Sequence, residues 1–468
     1  MIPYKKSIHT FEGSQISIAS GESGDVLLVK GDNPGFEGTP SPDGLICALS
    51  HKNAQLLRQL FPFTSPRPVL SSQRTIGLGD RLGIATSGQL RAVEKYDVVP
   101  ILAQQSIREL NLTNQTFDHV LDAATFAVFR EDFQRGFGAD GDHLKTGAEV
   151  EYALGCGYSM ITLDCSEHIR NDVCSMSVDE VNAAYEKNSE LESLYLDKCF
   201  DVEGSTISFP EEEFRRTYLT YNKAINHAEH IFFKYIQGHP IDFEISIDET
   251  MTSTTPAQHY FVANELIRRG IKVTTVAPRF CGEFQKGIDY IGDIAQFSEE
   301  FKIHAAIARH FGYKISVHSG SDKFSIFPIV GRLSKGNFHV KTAGTNWLEA
   351  MRVVAKCDPA LYREVHKYAL SAFSEATKYY HVTTDLSKIP DVDTLSDSDL
   401  PLLFEQNDPR QLIHITYGMI LNAVDDSGQP MFRKQLYELW HKEAEVYAQH
   451  LDRHISKHLQ LLYSEVGK

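Results

Sequence analysis

The chain has 468 residues, of which 42% are hydrophobic and 23% charged, a balance that excludes global disorder and implies a sizeable core. Its 62 acidic residues against 46 basic ones give a formal charge of -16, which excludes a broad electrostatic footprint for nucleic acid. An anionic metabolite is still compatible with that charge, provided Arg or Lys is supplied locally.

Residues 1–70 carry two short strand patterns, Val26–Val29 and Leu45–Ala48, and one helix, Ala54–Phe61. The Pro-rich stretch Thr64–Pro68 then reads as a linker, so a small N-terminal α/β subdomain is expected. From residue 71 onward, apolar runs alternate with helical patterns, the mark of βα units and a parallel sheet. Strands are predicted at Thr75–Gly79, Val98–Gln104, Gly136–Asp142, Ser159–Asp164, Phe243–Asp248, Val273–Arg279, Lys314–His318 and Phe338–Lys341. Eight such repeats favour a closed (β/α)8 TIM-type barrel over residues 71–350 rather than an open doubly wound sheet.

Residues 166–240 interrupt the repeat between strands four and five. They hold a helix, a hairpin pairing Cys199–Val202 with Thr206–Phe209, and a long helix from Glu211. An insertion there is expected on the face that carries lids and substrate loops. The helix opening at Pro256 carries Phe261, Val262, Leu266 and Ile267 before Gly270. The helix over Asp293–Phe311 places Ile294, Phe297, Phe301, Ala305 and Ala308 on one stripe and stops at Gly312. Residues 351–468 form a C-terminal helical extension, with cap-plus-proline starts at Asp358-Pro359 and Asp408-Pro409. His450, His454 and His458 fall at i, i+4 spacing on the last helix, where a solvated face is expected rather than a zinc site.

The seven cysteines form no C-x-x-C pair, so neither a disulfide framework nor a thiolate zinc site is expected, and a reducing compartment fits. The N-terminal MIPYKKSIHTFEG lacks a signal-peptide core, and no run of about 18 apolar residues occurs. A cytoplasmic protein without a membrane partner is expected. GLGDRLG departs from the dinucleotide fingerprint, its third Gly falling one residue late, so no nucleotide cofactor is expected. P-loop, nucleophile-elbow and kinase motifs are absent.

Chemistry in such barrels lies at the C-terminal ends of the strands, and here all eight ends are polar. Alternation places Ile245 and Ile247 outward and Glu244, Ser246 and Asp248 inward. By the same rule Ser316, His318, His339 and Lys341 point into the lumen. A buried carboxylate such as Glu244 costs several kcal/mol unless it is paired or metal-bound. Glu244, Asp142, His318, His339 and Lys341 converging on one lumen would satisfy one another in part, which is also how a metal site and an acid/base pair are built.

The segments GLGDRLGIAT (77–86), PILAQQSIRE (100–109), GFGADGDHLK (136–145), SIDET (246–250), RFCGEFQKGIDYIGDIAQF (279–297), YKISVHSGSDKFS (313–325), FHVKTAGT (338–345) and RQLIHITYG (410–418) resemble the tagaturonate epimerase family. Members interconvert D-tagaturonate and D-fructuronate in hexuronate catabolism. The resemblance implies a general base at Asp142, a general acid at Glu244, and a divalent metal on His143 and His318, with Glu283 or His339 as third ligand. Ligation rich in His suits Zn²⁺, Mn²⁺, Co²⁺ or Ni²⁺ better than Mg²⁺ or Ca²⁺. Gln104, Arg279, Lys323 and Lys341 are the candidates for holding a sugar-acid substrate, the three cations for its carboxylate. The two ketouronates differ at the carbon beta to the ketone, whose hydrogen the ketone does not acidify. Retro-aldol cleavage and recombination is therefore the expected route, with insertion 166–240 covering the fragments. A metal-dependent aldose–ketose isomerase, a class II-type aldolase and a non-catalytic sugar-binding barrel are the alternatives.

Overall fold

Eight short strands pair in parallel, each with its neighbour in sequence, and close on themselves. They are Arg74–Leu78, Val99–Gln105, Gly138–Leu144, Met160–Asp164, Asp242–Ile247, Thr275–Pro278, Lys314–Val317 and Phe338–Thr342. Closure is made by strand eight against strand one, with His339 beside Thr75 and Lys341 beside Gly77. The computed structural model describes residues 1–21 and 24–467.

Alternation explains why this ring closes around polar atoms. Ile245, Ile247, Ile315, Val317, Phe338 and Val340 are all buried beneath the surrounding helices, and that apolar shell drives the packing. Their neighbours in the strands, Glu244, Ser316, His339 and Lys341, are just as buried but face the lumen. One helical expectation, the place of Ile294 on its stripe, needs correction. Ile294 and Ile267 are 44% and 42% exposed, whereas Phe297, Phe301, Phe261 and Leu266 are buried. Each exposed isoleucine sits at the edge of its helix's apolar stripe, next to a terminus.

The N-terminal region is richer in strands than its sequence suggests. Residues 2–47 build a six-stranded antiparallel sheet in which Ser14–Ser20 and Asp25–Lys30 are central. The Ser14–Ser20 strand was not expected, because its alternation of Ser, Ile and Gln is short and weakly apolar. Helix His51–Leu60 covers this sheet, capped by Ser50, whose hydroxyl accepts from the Asn53 amide.

The insertion does not cover the barrel mouth. Its long helix, Glu211–Ile231, packs beside the Pro256–Arg268 helix in the outer ring, and the hairpin Cys199–Val202/Ser205–Ser208 rests against the wall. The mouth is covered instead by the loop after strand six and by residues 379–381.

In the C-terminal region, Asp358 caps Pro359–Ala376 as expected, accepting from the Leu361 amide at 3.0 Å. The next helix starts at Asn407, one residue before Asp408, whose carboxylate accepts from the Asp385 amide at 2.7 Å instead of capping. The histidine run on the last helix, Ala444–Tyr463, faces inward and not to solvent. His454 Nε2 lies 2.9 Å from Asp322 Oδ1, His450 Nδ1 lies 3.3 Å from Glu349, and Arg410 meets Asp322 at 2.9 Å. His458 has both nitrogens engaged, with Nδ1 donating to the His454 carbonyl and Nε2 accepting from the Asp322 amide. The run therefore docks the helix. All seven cysteines are free thiols. Among the described residues, no helix is long and apolar enough to cross a membrane.

Candidate active site

A cavity of about 340 Å³ opens at the C-terminal ends of the barrel strands. Its floor is one ammonium held among carboxylates. Lys341 Nζ lies 2.7 Å from Asp140, 2.8 Å from Asp142 and 2.7 Å from Glu244, and it also donates to Thr162. Thr275 donates to the other Glu244 oxygen at 2.6 Å. Strands three, five and eight thus supply charges that none could bury alone.

The environment separates these acids. Burial pushes Asp140 up to about 7, with the nearby Asp142 and Glu244 charges adding to it and Lys341 opposing. Burial also acts upward on Asp142, but Lys341, His143 and His318 outweigh it and hold that carboxyl low. Glu244 is likewise held well below its usual range by Lys341 and His318 against the cost of burial.

Above this floor two imidazoles meet one carboxylate. Donor atoms of His143, Asp248 and His318 all lie within 4.8 Å of one another. His143 Nδ1 faces Asp142 at 2.8 Å, and its Nε2 points to Asp248 at 3.8 Å. His318 Nε2 faces Glu244 at 2.7 Å, and its Nδ1 lies 3.2 Å from Asp248. That Nδ1 is buried without a hydrogen-bond partner. Each imidazole therefore turns one nitrogen to a supporting carboxylate and the other to a shared point, the arrangement that orients metal-binding histidines. His143 sits at φ 54°, a left-handed backbone that a bulky side chain adopts only where its surroundings enforce it. Burial opposes charge on His318, but Asp248 and Glu244 raise it to about 9, so this is a place that attracts positive charge.

Asp142, His143, His318, Gln104, Arg279, Glu283 and Lys341 all reach the cavity wall. Glu244 does not; it is fully buried one layer deeper and meets the cavity only through His318 and Lys341. His339 lies lower still, its Nδ1 3.0 Å from Thr75, with burial pressing its pKa down to about 3. Glu283 is placed by a backbone bridge to Ile291, and its carboxylate is outside the cluster of three donors. The acid that joins the two imidazoles is Asp248. Lys323 is also displaced from its expected place. Its ammonium donates to the carbonyls of Gln285, Ile288 and Ser321, at 2.8, 2.6 and 2.9 Å, which uses all three of its hydrogens.

Asp248, Arg108, Lys286 and His414 are among the wall residues not assigned a site role from sequence. For Asp248 the signal was available in the inward alternation of strand five. Arg108 comes from a helix start, Lys286 from a loop and His414 from the last turn of the helix Asn407–Ile415, where sequence periodicity does not report which side chain reaches the cavity.

Known proteins match the chain over almost its whole length. The family model described as tagaturonate epimerase matches residues 4–462. A tagaturonate/fructuronate epimerase from Thermotoga maritima is 40% identical over 479 residues, covering 98% of this chain and 96% of its own. A glycerol-complexed crystal structure of fructuronate-tagaturonate epimerase from Cohnella laeviribosi superposes with a TM-score of 0.96 at 49% identity, covering 98% of this chain and 96% of that one. The native crystal structure of the same enzyme gives 0.96 at 48% identity over the same shares. With a model match across nearly its full length and relatives at this identity, the chain belongs to the tagaturonate epimerase family.

Proposed function

We propose that the chain interconverts D-tagaturonate and D-fructuronate, the compounds its relatives are named for, by breaking and remaking one carbon–carbon bond. The observation that carries this reading is a single cavity in which an ionised acid, Asp142, stands beside a Lys341-bridged cluster and beneath two imidazoles that converge on Asp248.

The stereocentre to be inverted is beta to the ketone. Removal of its hydroxyl proton lets the bond between the alpha and beta carbons break. The electron pair of that bond passes to the ketone-bearing fragment as an enediolate, and the beta carbon becomes an aldehyde. Rotation of the aldehyde presents its other face, and the reverse addition gives the epimer. Asp142, ionised and on the cavity wall, is the base that takes the hydroxyl proton. The proton returns through the Lys341 cluster, where Asp140 is the acid whose pKa of about 7 keeps a proton available near neutrality. Glu244, ionised and sealed from the cavity, shares in that relay by fixing Lys341 and His318.

His143, His318 and Asp248 fit a divalent cation. Two imidazole nitrogens and a carboxylate converge, each imidazole has a supporting acid, and one buried nitrogen lacks any other partner. Such an ion, Zn²⁺, Mn²⁺, Co²⁺ or Ni²⁺ by donor type, supplies Lewis-acid stabilisation of the negative charge that develops on the ketone fragment.

The test is to incubate the purified protein with D-tagaturonate and assay D-fructuronate. Exhaustive chelation should abolish conversion, and one of the four metals should restore it. No conversion with any of them contradicts the proposed reaction, and full conversion by the chelated protein contradicts the metal.

A further inference from the structure

The cavity wall carries cations that make no direct ion pair with an acid of the protein, although Glu249 on the same wall and Glu109 act on them from farther off. Lys341 and Lys323 are fully engaged, by carboxylates and by backbone carbonyls respectively. Arg108 and Lys286 also line the cavity, and among the described residues neither has a carboxylate oxygen within 4.0 Å. Glu109, beside both, is committed to Arg81 through contacts of 3.1 and 2.7 Å. Burial presses the Lys286 ammonium toward its neutral form, Arg81 and Arg108 add to that and Glu109 and Glu249 oppose it, so an anion brought between Lys286 and Arg108 would favour both charges. Tyr380 holds the Arg108 guanidinium 5.3 Å from its ring centroid, and Ser319 accepts from Lys286 Nζ at 3.1 Å.

The same wall carries a buried imidazole with nothing to bond. His414 is 1% exposed, lines the cavity, and has no partner at either nitrogen. Leaving such a group unsatisfied costs about 1–3 kcal/mol. It is held against the wall by two glycines, since a Cβ on Gly344 would approach His414 Nε2 to 2.1 Å and one on Gly287 would approach Nδ1 to 3.0 Å. Burial and the neighbouring Arg81 and Lys286 charges keep the ring neutral, so it is a hydrogen-bonding group and not a third cation.

We infer that Arg108, Lys286 and His414 form the pocket for the substrate's carboxylate, with the two cations binding the oxygens and the His414 N–H donating to the carboxylate or to the hydroxyl next to it. The inference rests on the proposed epimerisation for its chemical consequence. In the cleavage above, the carboxylate belongs to the aldehyde fragment, the one that must turn. A pocket anchoring that end makes it a pivot, holding the fragment while its carbonyl presents the opposite face. It also selects a ketouronate over a neutral ketose of the same shape.

Calorimetric titration tests the pocket independently of turnover, with D-galactonate as the charged probe and galactitol as its neutral counterpart. The wild-type protein should bind galactonate more tightly than galactitol. Arg108→Leu and Lys286→Met should each weaken galactonate by about 10–100-fold while galactitol changes little. Lys286→Arg, which keeps the charge, should recover much of the loss and shows that the fold is intact. His414→Phe should weaken galactonate less than either charge removal. Equal affinity of the wild type for both probes, or equal weakening of both in the variants, overturns the pocket. A selective loss in Arg279→Ala but not in the other two reassigns the carboxylate and overturns it as well. Galactonate binding that behaves as described in a protein that fails to convert D-tagaturonate would leave the pocket standing and reject the epimerisation.

Discussion

At the scale of single residues, the site is organised by one buried cation. Lys341 contacts three carboxylates that would repel each other without it. Lys341→Met should therefore destabilise the protein by about 3–5 kcal/mol, read as a fall in the midpoint of denaturant unfolding, because it leaves buried acids uncompensated. A loss below about 1 kcal/mol would show that the acids take up protons at little cost. Asp142→Asn, which removes the proposed base and barely changes shape, should cut kcat by about 10²–10⁴ with little change in stability. Glu244→Gln should lower both activity and stability, since that carboxylate is buried behind Lys341 and His318 and does not line the cavity; an effect on kcat alone would place it in direct contact with substrate. Glu244 was legible from strand alternation, which needs only a period of two to assign a face, and Asp142 from its place at the end of strand three. Asp248 was placed inward by the same alternation, but the roles of Arg108 and His414 were not legible, because the direction of a side chain at a helix end is a tertiary property. Lys323 shows the converse. A lysine beside a candidate ligand suggests substrate binding, yet its ammonium closes a backbone turn.

At the scale of elements, two tethers hold the cavity. Gln285, in the loop after strand six, accepts from both the backbone and the hydroxyl of Thr383 at 3.0 Å, tying that loop to the segment carrying Tyr380 and His381. Gln285→Ala should loosen the cover, lowering kcat and releasing a three-carbon aldehyde that a trapping reagent detects; unchanged kcat and no trapped aldehyde would show that this cover does not retain fragments. The second tether is the last helix, docked by His450 and His454 against Glu349 and Asp322. Burial acts upward on Glu349, but His450, His454, Arg352 and Arg410 outweigh it and lower its carboxyl from 4.5 to about 2. A carboxyl depressed in the folded state stabilises above its unfolded pKa and loses that contribution as pH falls through the folded one. Glu349 should thus contribute on the order of 3 kcal/mol near neutrality, lost between pH 4.5 and about 2. Unfolding free energies of Glu349→Gln and the wild type should converge across that window, and a constant gap would contradict the assignment. The i, i+4 histidines were visible in sequence, but their helix could not be oriented from sequence because charge and aromatic content favour water and a buried ion network equally.

At the scale of the whole molecule, the closed barrel was the most legible feature. Eight apolar runs with polar ends, separated by helices, leave few other ways to bury one face while gathering the polar ends at one mouth. The insertion begins at the strand ends as expected, with Asn171 accepting from the Met251 amide, but its long helix and hairpin run along the outer wall, because length and position between strands do not say which side of the ring a segment packs on. Its long amphipathic helix finds its partner in the neighbouring wall helix and leaves the mouth to other loops.

The central claim is that the epimerised carbon keeps its hydrogen while its bond to the alpha carbon breaks. The direct measurement uses D-tagaturonate carrying deuterium on that beta carbon, converted to D-fructuronate in ordinary water and followed by NMR. The expected result is full retention of the label and no primary deuterium isotope effect on the rate. Loss of label to solvent would mean that the C–H bond is broken by proton abstraction, and a primary isotope effect with the label retained would mean hydride transfer; either contradicts the retro-aldol account.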